Sequence, residues 1–247
     1  MLSDRRQRVL AALIEEYVAR ALPVGSRTLT ERYRFGVSPA TIRNELSALE
    51  EEGYISQPHT SAGRVPTDFG YRTFVDDLLE SGCIGQDGQA DEAIGRLRET
   101  AAELDELLER TSRALSQFTD CLSVVTPPGY AHPSRAGIMS LMRQPEFTYT
   151  ESLLPVMQVL EDDTVLLHVL DATAPSDDGP QVRIGSENVA EQLAGVSVVA
   201  CRYGIGPDGG IVAVIGPTRM DYTKALAAVR IASKTLGEDK PHDEGER

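Results

Sequence analysis

The sequence predicts an α+β chain: an N-terminal winged helix-turn-helix, a long linker helix and a C-terminal α/β body. Three observations carry that prediction. Residues 3–71 give helix, helix, turn, helix and a strand pair with a glycine-containing tip, in that order; residues 94–118 repeat apolar side chains three and four apart; residues 181–236 alternate β-rich apolar runs with helical ones.

The first helix is expected over residues 3–21, where Val9, Leu10, Leu13, Ile14, Tyr17 and Val18 fall on one face of a 3.6-residue period. Pro23 and Gly25 end it. Ser26 is a candidate N-cap for a short second helix to about Arg34, and Gly36 suits the tight turn after it. Ser38 followed by Pro39 marks the next start, a capping hydroxyl and then proline at the first helical position. On the helix to about Glu52, Ile42, Leu46 and Leu49 face inward, which leaves Ala40, Arg43, Asn44 and Ser47 outward.

That outer face is small, polar and singly basic. It suits a major groove, where arginine pairs bidentately with guanine and asparagine with adenine. Glu50, Glu51 and Glu52 lie at the far end, so only the N-terminal half of the helix is expected to enter. From Tyr54 the chain reads as strand, tip at residues 60–63 and return strand, a wing. Thr60, Ser61 and Arg64, with Arg27 from the second helix, are the candidates for phosphate or minor-groove contacts, and Ser38 joins the base-contact candidates.

Domain boundaries follow: 1–80 for the winged domain, 81–120 for a hinge and linker helix, 121–236 for the body and 237–247 for a charged tail expected to be disordered. A short helix over residues 69–79 should pack Phe69, Tyr71, Phe74, Val75 and Leu78 onto the winged domain, with a small, glycine-rich hinge at 81–89. In the linker, Ile94, Leu97, Ala101, Leu104, Leu108, Thr111, Leu115 and Phe118 form a heptad seam. Its partner is either the same helix of a second subunit or the body; Ala101 and Thr111 in the seam and the lack of matched flanking charges favour the body. Pro127, Pro128 and Pro133 exclude regular structure around them. Helix is expected over 152–160, strand over 181–184, a short helix over 186–193, two strands from Val196 and Ile211, and a closing helix over 224–236.

The formal charge of −14 becomes intelligible when divided along the chain. Residues 1–75 hold 10 basic and 9 acidic residues, whereas the remainder holds 14 and 29. DNA affinity must therefore come from where single arginines stand, while the acidic body suppresses indiscriminate nucleic-acid binding. Cys83, Cys121 and Cys201 have no ligand spacing and read as reduced thiols; no apolar run approaches a membrane span, so a cytoplasmic protein is expected.

The fragments PVGSRTL, SPATIRNELSALEEEGYI and HTSAGRVPTDFGYR, together with QPEF (144–147), VRIGSEN (182–188) and AVIGPTRMDY (213–222), resemble the heat-inducible transcription repressors, the HrcA family. The resemblance implies a homodimeric winged-helix repressor that binds double-stranded DNA at the CIRCE inverted repeat upstream of chaperone and chaperonin operons. It also implies a GAF-like C-terminal domain and a chaperonin as partner, needed for the active form. The run TVLLHVLDA from Thr164 suits a buried strand by composition and a helix by resemblance. Only about two dozen residues, 121–143, occupy the interval where the family carries the first GAF-like strands and an inserted dimerisation domain. The GAF-like domain is accordingly expected to be shortened, without that insertion.

Gly204, Gly206 and Gly209 match GxGxxG, but the next element is a strand, so a β-hairpin is expected and not a dinucleotide site. Arg219, Asp221 and Tyr222 mark either a capped helix start with an internal ion pair or a ligand or interface site. His59, His132, His168 and His242 have no partners at ligand spacing, so no enzyme, metal or cofactor is expected. The competing functional readings are a winged-helix regulator controlled by a metabolite in the GAF-like domain, and a winged domain that binds protein instead of DNA.

Overall fold

In a computed structural model of the chain, residues 2–59, 62–81, 89–90, 94, 97, 104–129, 132–175, 179–204 and 209–237 are described. The expectations for Thr60, Ser61, Ala101, Cys83, most of the hinge and the tail beyond Gly237 fall outside them.

Helix α1 (Asp4–Arg20) starts at Ser3, whose hydroxyl accepts from the Arg6 amide, and stops at Ala21 in the left-handed region. Helix α2 (Ser26–Arg32) is shorter than expected, and Ser26 is its first residue rather than its cap: Gly25 takes the flanking position and no side chain caps it. The Ser26 carbonyl instead accepts from the Thr30 hydroxyl at 3.2 Å. After Gly36, at φ +70°, comes α3 (Pro39–Glu51), with the Ser38 hydroxyl accepting from the Thr41 amide. Val9, Leu13, Ile14, Leu29, Ile42 and Leu49 are fully buried between these three helices. Burial of that apolar face, at roughly 1.5–3 kcal/mol per large side chain, is what holds helices this short.

The wing is the antiparallel pair β1 (Ile55–Ser56) and β2 (Val65–Pro66), widened by a bridge between Val24 and Arg64. Two glycines allow the chain to close here. A Cβ on Gly63 would sit 2.5 Å from the Val24 carbonyl carbon, and one on Gly70 would sit 2.1 Å from the Tyr54 oxygen. Gly70 belongs to α4 (Asp68–Glu80), capped by the Thr67 hydroxyl. Phe69 packs onto the winged domain with one side only: it stacks on Tyr54, with ring centroids 4.6 Å apart, and stays half exposed.

In α5 (Leu104–Thr119), Leu107, Leu108, Thr111, Ser112, Leu115 and Ser116 form a buried stripe against the body, while Leu104 is exposed. The seam residues Leu108, Thr111 and Leu115 are thus covered within the chain, and Leu104 is not. The body is a five-stranded antiparallel sheet in the order β4-β3-β7-β6-β5, from β3 (Leu122–Val125), β4 (Ser134–Ala136), β5 (Gln181–Ile184), β6 (Val196–Tyr203) and β7 (Gly210–Pro217). Helices α5 and α9 (Tyr222–Gly237) cover one face; α6 (Ile138–Met142), α7 (Thr150–Glu161) and α8 (Asp163–Thr173) cover the other. Central β7 alternates accordingly, Val212 and Val214 to the first layer and Ile211, Ala213 and Ile215 to the second.

Both β3 and β4 lie inside the interval 121–143, one on each side of the prolines, so the shortening spares the strands expected there. The run from Thr164 is helical: the Asp162 carboxylate accepts from the Thr164 and Val165 amides, and Leu166, Val169, Leu170 and Thr173 are buried at helical spacing. The expected helix over 186–193 is instead two 3-10 turns, Gly185–Glu187 and Glu191–Leu193. Asn188 explains the difference, because its amide donates to the carbonyls of Gly185, Leu193 and Val196 at 2.9–3.0 Å and pins the chain in a turn.

Candidate nucleic-acid interface and its seat on the body

On α3, Ala40, Arg43 and Asn44 are exposed and Ser47 is half-buried, while Ile42, Leu46 and Leu49 face inward. Ser38, at the cap, is also exposed. The helix therefore offers a guanidinium and a carboxamide on adjacent residues to an approaching duplex. Arg27 of α2 is 90% exposed and makes only a loose 3.6 Å contact with Glu31.

Glu45 and Glu50 of α3, and Glu52 at its C-terminal cap, are paired with arginines inside the domain, whereas Glu51 is exposed. Arg6 of α1 donates to Glu45 at 3.2 Å and to Glu52, Arg5 lies 3.6 Å from Glu45, and Arg64 donates to one oxygen of Glu50 through Nε at 3.1 Å and Nη2 at 2.8 Å. Arg64 thus departs from the expectation of a guanidinium held out for phosphate. It is engaged with the recognition helix itself.

The winged domain is seated on the body. Tyr71 of α4 and Tyr222 of α9 are both buried with ring centroids 5.7 Å apart, and one continuous apolar core runs from α1 through them to α5 and α9. Polar contacts surround this centre. Arg72 donates to both carboxylate oxygens of Glu187 and, at 2.7 Å, to the Val182 carbonyl; Asp68 accepts from the Ser186 amide and hydroxyl, each at 3.1 Å. Gly185, at φ +52°, makes room for that carboxylate, since a Cβ there would meet it at 2.3 Å.

Arg219 donates to Glu146 at 2.5 Å, to Gln144 at 2.9 Å and to the Val18 carbonyl of α1 at 3.3 Å. Asp221 accepts from the Lys224 amide at the start of α9, and the Tyr222 hydroxyl bonds Ser197 at 2.7 Å and donates to the Thr218 carbonyl. The three residues therefore combine both sequence readings. They cap a helix and form an ion pair, and Arg219 and Tyr222 also lie at an interface, with the chain's own winged domain.

Electrostatics keep this seat in one state. Burial opposes ionisation of Glu187, but the hydrogen bonds from Arg72 and the Ile184 amide, with the charges of Arg72 and Arg183, hold its carboxyl below the usual range. Burial raises the phenols of Tyr71 and Tyr222, so both remain neutral; the Tyr222 hydroxyl bonds Ser197 and the Thr218 carbonyl, whereas that of Tyr71 has no hydrogen-bond partner among the described residues. Sequence reasoning missed Asp68, Arg72 and Glu187, because spacing alone cannot show that α4 meets residues 115 positions away. The signal available was their place inside the HTSAGRVPTDFGYR and VRIGSEN fragments.

Among the described residues, no group of three or more His, Cys, Asp or Glu side chains is placed to hold a metal ion, and no helix is long and apolar enough to cross a membrane. The comparison with known proteins decides the family. A relative from Streptomyces avermitilis, described as heat-inducible transcription repressor HrcA, is 33% identical over 337 positions, covering 96% of this chain and 98% of the relative.

The chain belongs to the HrcA family.

An HrcA relative from Kineococcus radiotolerans is also 33% identical, over 341 positions, covering 95% of this chain and 98% of the relative. The family profile described as HrcA protein C terminal domain matches residues 134–226, a span that contains Glu146, Glu187, Arg219 and Tyr222. A crystal structure described as that of a hypothetical protein superposes with a TM-score of 0.78 at 20% identity, covering 96% of this chain and 98% of that one, which establishes the shared fold. The fold is α+β, a winged helix-turn-helix on a shortened GAF-like domain. An alignment of 337 positions against 247 residues leaves at least 90 HrcA positions that this chain does not fill, in agreement with an absent insertion.

Proposed function

We propose that this chain is a sequence-specific DNA-binding repressor of heat-shock genes, with Arg43 and Asn44 reading base edges. The observation that carries this reading is the N-terminal half of α3: Arg43 and Asn44 are exposed side by side, while the carboxylates of Glu45, Glu50 and Glu52 farther along the same helix are paired with arginines. A groove-reading helix needs that polarity, donors forward and negative charge kept behind. That relatives are described as heat-inducible transcription repressors supports it.

The operator proposed is the CIRCE inverted repeat of chaperone and chaperonin operons, bound by two copies whose recognition helices enter successive major grooves and block transcription by occupancy. Ser38, Ala40 and Ser47 lie around the reading pair. Arg27, Thr60 and Ser61 hold phosphates or the minor groove, and Arg64 contributes chiefly by neutralising Glu50. A chaperonin raises the active fraction by favouring the native form, and heat lowers it when damaged proteins occupy the chaperonin.

The test is equilibrium binding of the purified chain to a CIRCE duplex and to a scrambled duplex of equal length. Preference for CIRCE that Arg43→Ala removes supports the reading; equal affinity for both duplexes overturns it. Added chaperonin should raise CIRCE occupancy, and no change would remove that part.

A further inference from the structure

Resting on the DNA-binding reading above, we propose that Arg72 and Glu187, supported by Asp68, Ser186 and Arg219, are positioning residues: they fix the angle at which the body presents the recognition helix. They would thereby govern binding to a two-armed operator without touching DNA.

The seat has the features of a fixed geometry. Its centre is the buried Tyr71–Tyr222 pair, and separate polar attachments surround it. Asp68 and Arg72 stand one turn apart on α4 and grip Ser186 and Glu187, while Arg219 reaches the last turn of α1. Attachment through two different helices of the winged domain resists rotation, which a single apolar patch does not.

The fit is also sterically selective. Only glycine at 185 admits the Asp68 carboxylate, because any side chain would begin 2.3 Å from its oxygen. Arg72 meets Glu187 as a two-bonded fork, the arrangement that fixes direction as well as distance.

The seat leaves the reading face open. Ala40, Arg43 and Asn44 take no part in it and remain exposed with the winged domain docked. A docked domain is therefore competent to approach DNA, and what docking controls is orientation. When two copies bind one inverted repeat, the second arm is captured at an effective concentration set by the stiffness of the connection. A winged domain held by three attachments presents its helix at one spacing; a loosened one samples many and loses that advantage.

The experiment measures binding of the full chain to a CIRCE duplex and to a duplex carrying one arm of it. Glu187→Gln and Arg72→Gln should each weaken two-armed binding by about tenfold, the scale of one charge-assisted fork, and change single-arm binding by less than about twofold. The double variant should be no weaker than the weaker single, since each acts by breaking the same contact. Gly185→Ala should reproduce the effect with neither charge altered. Unchanged two-armed binding in both single variants overturns the proposal, as do equal losses on both duplexes or losses that multiply in the double variant. If the unaltered chain binds the two-armed CIRCE duplex no better than scrambled DNA, the DNA-binding reading itself fails, an outcome visible before any variant is made.

Discussion

Arg64, at the exit of the wing, donates through Nη2 to Glu50 on the recognition helix at 2.8 Å, tying together the two elements that approach DNA. The pair sits in side chains 22% and 32% exposed, so it is partly shielded from screening. Arg64→Met should lower CIRCE affinity, because it leaves the Glu50 carboxylate facing the phosphates. Glu50→Gln in the same chain should recover most of the loss. If the double variant binds as poorly as Arg64→Met, the arginine contacts DNA directly and the neutralising role is wrong.

Exposed side chains that read bases should matter to binding and not to folding. Arg43→Ala and Asn44→Ala should each cost about 1–3 kcal/mol of discrimination at one operator position, with thermal stability unchanged to within about 0.5 kcal/mol. Arg27→Ala should instead weaken binding to all sequences and reduce the salt slope by about 1. Titrations at several salt concentrations separate the two behaviours.

Stability should depend on pH through Glu187. Its folded pKa lies below the unfolded value, so the seat's contribution is fully present above the ordinary glutamate pKa of about 4.3 and disappears as pH falls through the lower folded value. At pH 7, Glu187→Gln should unfold more easily by about 1 kcal/mol, an amount discounted for partial exposure. The gap between variant and parent should narrow on acidification below pH ~4. Urea melts at both pH values measure it; a gap that widens in acid contradicts the assignment.

Two close approaches depend on single residues. Gly70→Ala forces a Cβ to within 2.1 Å of the Tyr54 oxygen, a backbone atom that cannot swing aside, and should destabilise the winged domain by about 2 kcal/mol or more. Asn188→Asp replaces an amide donor with an acceptor facing three carbonyls and should cost about 3 kcal/mol. Calorimetry on both variants would show it, and wild-type melting in either would disprove the corresponding contact.

Cys121 is buried, and burial with the Asp120 charge pushes its thiol up to about 12. It should resist iodoacetamide at pH 8 in the native chain and react at once in urea. Peptide mapping after brief labelling checks this, and rapid native labelling at Cys121 would mean that β3 opens locally.

The winged domain was legible in its residues because its signals are local. Ser38 and Pro39 start α3, Gly36 turns the chain before it, and the three-and-four spacing of Ile42, Leu46 and Leu49 decides which side chains face out. Family resemblance, and not composition, indicated a helix from Thr164. The 3-10 turns over 185–193 were not legible, since Asn188 finds the last of its three carbonyls, that of Val196, only when β6 is in place.

The sequence by itself determined the order of elements, the outward turn of Arg43 and Asn44 and the division of charge, because periodicity, capping and composition act within a few residues of chain. Only the tertiary structure decided that Arg64 belongs to Glu50 and that Arg72 belongs to Glu187, across 115 positions. An ion pair is chosen by which carboxylate the fold brings within about 3 Å, and in a chain with 38 acidic residues nothing local names the partner.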